Sequence, residues 1–133
     1  MNIIRRIDVK FAAKVLTTLW SCVVAFHLLV LTVVIPYHLV WGGRLESASQ
    51  MHLLETVSII IGIMIIVVVG MKGRLIKPSL PQRVITFLLW LLVILFTLNT
   101  IGNLLSKTSL ETILFTPITF ISVILCYRMA TER

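Results

Sequence analysis

The sequence predicts an all-α membrane protein: four transmembrane helices in an up-down-up-down bundle, with both termini cytoplasmic. Three observations carry that prediction. Apolar residues make up 59% of the 133-residue chain and charged residues 13%, a balance that a domain of this size cannot hide from water in its core. The apolar residues fall into four long runs, and a bilayer core about 30 Å thick takes ~20 helical residues to cross. The basic residues gather to one side of those runs, as the positive-inside rule expects of short loops.

The first predicted helix covers about residues 12–37, all but its first turn within a stretch of 29 uncharged residues between Lys14 and Arg44. Ser47, Ala48 and Ser49 follow it and look superficially like a cleavage site. The apolar run is longer than the ~7–15 residues of a signal-peptide core, so it reads as a retained anchor. The second helix covers 53–71. Its segment 59–69 has no polar side chain, which excludes the alternating pattern of a barrel strand. Ser47, with Gln50 three residues on, forms a candidate capping box at its start. The third helix covers 84–105 and the fourth 112–127. Only 16 residues separate Glu55 from Lys72, and 16 separate Glu111 from Arg128, so both glutamates belong within or just below the headgroup zone.

Short connections complete a single domain, 1–133. Gly73, Pro78 and Pro81 break the chain between the second and third helices, and Gly42 and Gly43 turn it after the first. About six residues, 106–111, join the last two helices, which makes them antiparallel neighbours.

Of the 12 Lys and Arg residues, all but Arg44 and Lys107 lie before the first helix, between the second and third, or after the fourth. The net charge of +7 is then mainly a topology signal. Nucleic acid is not an expected partner, since no water-facing domain remains to carry a basic binding face. Membrane lipids are, with anionic headgroups attracted to the basic side. Cys22 and Cys126 fall at different depths and read as packing residues rather than a disulfide.

Polar residues embedded in the runs converge at one depth. At a rise of ~1.5 Å per residue, Asn99 and Asn103 lie toward the outer end of the third helix. His38 and Trp41 end the first, His52 and Glu55 open the second, Thr112 and Thr116 open the fourth, and Arg44 sits in the outer loop. On the first helix His27, Leu31, Val34 and His38 fall on one line, which leaves His27 near mid-membrane as a packing histidine. Ser58 and Gly62 form a small-xxx-small contact on the second. On the third helix Asn99, Gly102, Asn103 and Ser106 share a face; on the fourth, Thr112, Thr116 and Thr119 do. Unpaired polar groups facing lipid are costly, so these faces should meet inside. Pro117 should free the carbonyl of Ile113, with Asn99 or Asn103 as its donor.

The expected product is a blind, outward-facing pocket. Its candidate ligand-binding residues are Glu55, Asn99, Asn103, His38, His52, Trp41, Arg44 and Thr116. Glu55 serves as charged anchor, the asparagines as orienting groups and Trp41 as a lid. The same residues can instead be interhelical hydrogen-bond glue. His38, His52 and Glu55 are the one set from which a zinc-like site is thinkable, but no metal or cofactor is predicted.

The segments Trp41-Gly42-Gly43-Arg44-Leu45 and Asn99-Thr100-Ile101-Gly102-Asn103-Leu104-Leu105-Ser106-Lys107, followed by Glu111 and Thr116-Pro117, resemble an uncharacterised family of small bacterial four-helix integral membrane proteins. The resemblance implies a bacterial plasma membrane and a four-span topology, and supplies no activity. Small multidrug transporters are similar in having four short helices, but they carry their essential glutamate in the first helix, where this chain has none.

The function expected is binding of a lipid or small amphipathic ligand, or service as an accessory subunit. The alternatives are a small oligomeric transporter or channel and a lipid-modifying enzyme using His and Glu; a homo-oligomer fits any of these. A complete pathway is disfavoured, because the inner half of the second helix offers no polar side chain.

Overall fold

The computed structural model describes residues 2–41 and 44–132; the expected turn at Gly42 and Gly43 and the terminal Arg133 lie outside the described residues. The elements are helical: α1 (Asn2–Arg5), α2 (Val9–Leu31), α3 (Ala48–Lys72), α4 (Gln82–Leu104) and α5 (Thr116–Ala130). A short 3-10 turn, Tyr37–Leu39, lies in the α2–α3 connection, and a π turn, Glu111–Phe115, leads into α5. Four segments are long and apolar enough to cross a membrane: Val9–Leu31, Ala48–Lys72, Gln82–Leu104 and Glu111–Ala130.

Local chemistry sets the ends of each helix. Asp8 caps α2, its carboxylate accepting from Phe11 N at 3.0 Å. The helix stops at Leu31 rather than at 37, because Pro36 disfavours helical geometry at the residue before it. The chain closes there in a Schellman pattern: Val33 N donates to Val30 O and Val34 N to Leu29 O, with Val33 at φ 64°. His38 therefore leaves the line of His27 and Leu31. Ser47 caps α3, accepting from Gln50 N at 3.2 Å, while Gln50 Oε1 accepts from Glu46 N at 2.9 Å. This capping moves the start of α3 from 53 to Ala48.

The fourth helix departs from expectation at its entry. Thr116 N bonds to Glu111 O, a wider turn that places Pro117 at the first positions of α5, where a missing N–H is tolerated. Ile113 is 75% exposed. Asn103 Nδ2 donates to Thr119 Oγ1 at 3.4 Å rather than to the Ile113 carbonyl.

Two antiparallel hairpins result. In the first, α2 and α3 approach closely at two points. A Cβ on Gly62 would lie 2.6 Å from Val24 Cγ2, and one on Gly73 would lie 2.1 Å from Ala13 Cβ. In the second, Thr100 Oγ1 donates to Thr119 Oγ1 at 2.9 Å, Thr112 Oγ1 donates to Asn103 O at 3.0 Å, and Trp90 packs edge-on against Tyr127. The hairpins join through Trp20, which stacks on Phe96 at 4.9 Å and donates to Ser122 Oγ at 3.0 Å. Phe26 meets Phe115 edge-on at 4.9 Å. Contact between α3 and α4 is sparse by comparison with the contact inside either hairpin.

The outer surface of the long helices is strongly apolar. Phe87, Leu91, Ile94, Leu98 and Ile101 stay exposed along α4, and Ile60, Ile63, Met64 and Val67 along α3, as hydrocarbon rather than water demands. Exposed hydroxyls in these helices are satisfied locally: Ser21 bonds to Thr17 O, Thr56 to His52 O and Thr97 to Val93 O. That is how a polar side chain survives in an apolar solvent. These features describe a multi-pass membrane protein.

Candidate functional site

The sparse α3–α4 contact leaves a cavity of about 480 Å³ between the hairpins. Trp20, Ile65, Leu95 and Phe96 form its apolar base, and Phe26 and Phe115 stand on its α2–α5 side. Its polar lining comes from His27 on α2, Trp41 and Arg44 in the connection, Ser58 on α3, Asn99 and Asn103 on α4, Thr119 on α5, and Glu111 in the π turn, whose carboxylate accepts from Ser106 Oγ. Val57 and Asn99 are exposed at the α3–α4 gap, so the cavity opens sideways there.

Behind this lining sits Glu55, with 0% exposure. Trp41 Nε1 donates to Glu55 Oε1 at 2.6 Å, and His27 Nδ1 lies 2.6 Å from Oε2. A carboxylate in apolar surroundings is costly unless its oxygens are bonded, and here each oxygen has a short partner of the charge-assisted kind. Trp41 holds φ 56°, a left-handed conformation uncommon for a bulky residue. The indole contact and the packing of Val30, Val40 and Met51 hold the connection over this spot.

The close approach at Gly62 and Val24 explains the meeting of His27 and Glu55. It locks the antiparallel register one turn from His27 and two turns from Glu55, and the two side chains reach along the helices to meet. With Nδ1 engaged by Glu55, Nε2 is the remaining ring nitrogen. Nε2 makes no hydrogen bond among the described residues.

The expected site residues divide accordingly. Trp41, Arg44, Asn99 and Asn103 line the cavity. Glu55 does not line it. Burial and the occupation of both oxygens turn it from the anchor expected of it into the support of two lining residues. His38 and His52 are exposed and outside the lining, because the early end of α2 carries His38 away, so the zinc-like set is not assembled. Among the described residues, no group of three His, Cys, Asp or Glu side chains is placed to hold a metal. Thr116 also falls outside the lining, and its hydroxyl is buried without a partner. The π turn changes the helical phase after Thr112, so Thr112 and Thr119 reach α4 while Thr116 does not.

The residue that sequence reasoning misplaced is His27. Extending the first helix to 37 put it at mid-membrane. Ending that helix before Pro36 puts it one turn from the end, ~6 Å by helical rise, at a level an α3 residue eight positions beyond its cap can reach. Asn103 is committed to Thr119, whereas the Asn99 amide makes no hydrogen bond among the described residues. The cavity thus presents an imidazole nitrogen, a free amide, the Arg44 guanidinium and the Glu111 carboxylate above an aromatic and aliphatic base.

Comparison of the chain with known protein families, curated proteins and solved structures gives no match.

Proposed function

We propose that this protein binds a lipid or small amphipathic molecule in the cavity between its hairpins. The observation that carries the reading is the union, in one space of about 480 Å³, of an apolar base with the polar groups of His27, Arg44 and Asn99. Small-molecule sites combine a mostly apolar wall with a few placed polar groups, in volumes of roughly 300–1,000 Å³. The apolar part of the ligand enters by the sparse α3–α4 seam and rests on Trp20 and Phe96. Its polar end meets His27 Nε2, the Asn99 amide and Arg44. Glu55 acts as a positioning residue, holding His27 in one tautomer and fastening Trp41 over the opening.

The membrane assigned is a bacterial plasma membrane, with the termini and the 73–81 loop cytoplasmic and the cavity toward the outer leaflet. The distribution of Lys and Arg and the family resemblance support that assignment. An accessory-subunit role and a homo-oligomer are compatible with it.

Lipidomics on the purified chain tests the proposal. A discrete species should copurify with the unaltered protein and fall at least fivefold in His27→Phe combined with Asn99→Leu. Equal retention in both would sink it. A second reading, proton transfer to a bound lipid, draws on the 2.6 Å contact between His27 and Glu55. It requires turnover of the copurified species, lost in His27→Gln; a ligand recovered unchanged rejects it.

A further inference from the structure

The other end of the bundle carries a second cavity, about 750 Å³, where the start of α2, the end of α3, the start of α4 and the C-terminal residues meet. Its lining includes four cationic side chains, Lys10, Lys72, Arg74 and Arg83, and two carboxylates, Asp8 and Glu132. Both carboxylates are already engaged. Asp8 caps α2 through Phe11 N, and Glu132 pairs with Arg128 at 2.5 Å. Lys10, Arg74 and Arg83 have no ion-pair partner among the described residues.

Lys72 is the unusual member. It is 7% exposed, yet its ammonium, with three donors to satisfy, makes one long hydrogen bond, 3.5 Å to the carbonyl of Glu132. Burial of a cation is unfavourable unless neighbouring charges and polar groups balance it, and an anion in the cavity would do so. The start of α4 faces the same space through Gln82, Arg83 and Thr86. Pro81 caps that helix without a side-chain hydrogen bond, and with Val84 N and Ile85 N donating to Pro81 O the N–H groups of Gln82 and Arg83 are those that keep an affinity for negative charge. Arg74 holds φ 56° in the turn that ends α3, which keeps its backbone at the cavity wall.

We propose that this cavity binds a phosphate group, with Lys72 and Arg83 as its principal contacts and Lys10 and Arg74 around them. The phosphate comes either from an anionic lipid headgroup or from a free phosphate in water. The site is separate from the ligand cavity, at the opposite end of the helices, and stands or falls independently of it.

Native mass spectrometry on the full-length chain in detergent micelles tests this. Phosphatidylglycerol and phosphatidylcholine of identical acyl chains are titrated separately, with inorganic phosphate added as competitor. Phosphatidylglycerol should bind more tightly, and Arg74→Gln/Arg83→Gln should weaken it about tenfold. Lys72→Met, which suits a buried position and keeps the chain's length, should weaken it too. Arg5→Gln/Arg6→Gln removes the same charge outside the cavity lining and should leave binding within twofold. Competition by inorganic phosphate assigns the site to a soluble anion, and its failure to compete assigns it to the headgroup. Two results overturn the proposal: equal binding of the two lipids without any bound phosphate, or equal weakening by the 74/83 and 5/6 variants, which would mean diffuse charge and no built site. Unchanged helical circular dichroism in each variant keeps folding out of the comparison.

Discussion

Trp41→Phe removes the N–H that reaches Glu55 Oε1 across 2.6 Å, along with part of the ring's packing. Glu55→Leu removes both oxygens and strands two half-buried groups, Trp41 Nε1 and His27 Nδ1. A hydrogen bond to a charged group contributes ~1.5–3 kcal/mol in water-soluble proteins, whereas interhelical bonds in membranes average ~0.6 and reach ~1.7 kcal/mol. Glu55 is fully buried and both of its bonds are short, so values at the upper end of the membrane range apply. Glu55→Leu should then destabilise by ~2–3 kcal/mol and Trp41→Phe by ~1.5. The double variant should fall short of their sum by ~1 kcal/mol, because the shared bond can be lost once only. Equilibrium unfolding in mixed micelles, followed by helical circular dichroism, measures all four corners of the cycle. Ring packing lost in Trp41→Phe cancels between them. Additivity within ~0.3 kcal/mol would refute the contact and the account of Glu55 built on it.

Other perturbations probe the frame of the site. Gly62→Leu places atoms where Val24 Cγ2 already stands, 2.6 Å from an added Cβ. It should destabilise by ~1–3 kcal/mol, and pairing it with Val24→Ala should recover much of that in the same unfolding assay; no recovery would place the strain elsewhere. Val33→Gly relieves a β-branched residue at φ 64° and should stabilise the chain by ~1 kcal/mol, read as a later unfolding midpoint. A loss of stability would mean that the Schellman turn after α2 is misplaced.

The four spans were legible because length and hydrophobicity alone decide whether a helix can cross a bilayer. Ser47 and Gln50 were also legible as a cap, since both side chains have local jobs. The end of α2 was only half legible. Pro36 bars helix at Ile35, but nothing about Val33 announces a left-handed conformation that normally belongs to glycine. That one error moved His38 into the pocket and His27 out of it. The π turn before Pro117 was illegible for a different reason. Whether a proline is met by a kink, a free carbonyl or a widened turn depends on packing against α4, and there Thr119 captures Asn103. Glu55 announced itself as unusual, yet the structure places it behind the cavity lining, with both oxygens bonded. A sequence shows that a carboxylate is embedded, while its freedom to meet a ligand depends on how many donors the neighbouring helices bring.

The ligand cavity itself is tested most directly by closing it. Gly102 lines it, and a Cβ added there meets no atom within 4 Å, so Gly102→Phe extends into open space. Exchanging a helical glycine also removes a destabilising feature of roughly 0.5–1 kcal/mol. Native mass spectrometry of Gly102→Phe beside the unaltered chain should show the copurified ligand gone, with the unfolding midpoint equal or higher. The same ligand, retained in full by a folded Gly102→Phe protein, would contradict the assignment of this cavity as its site.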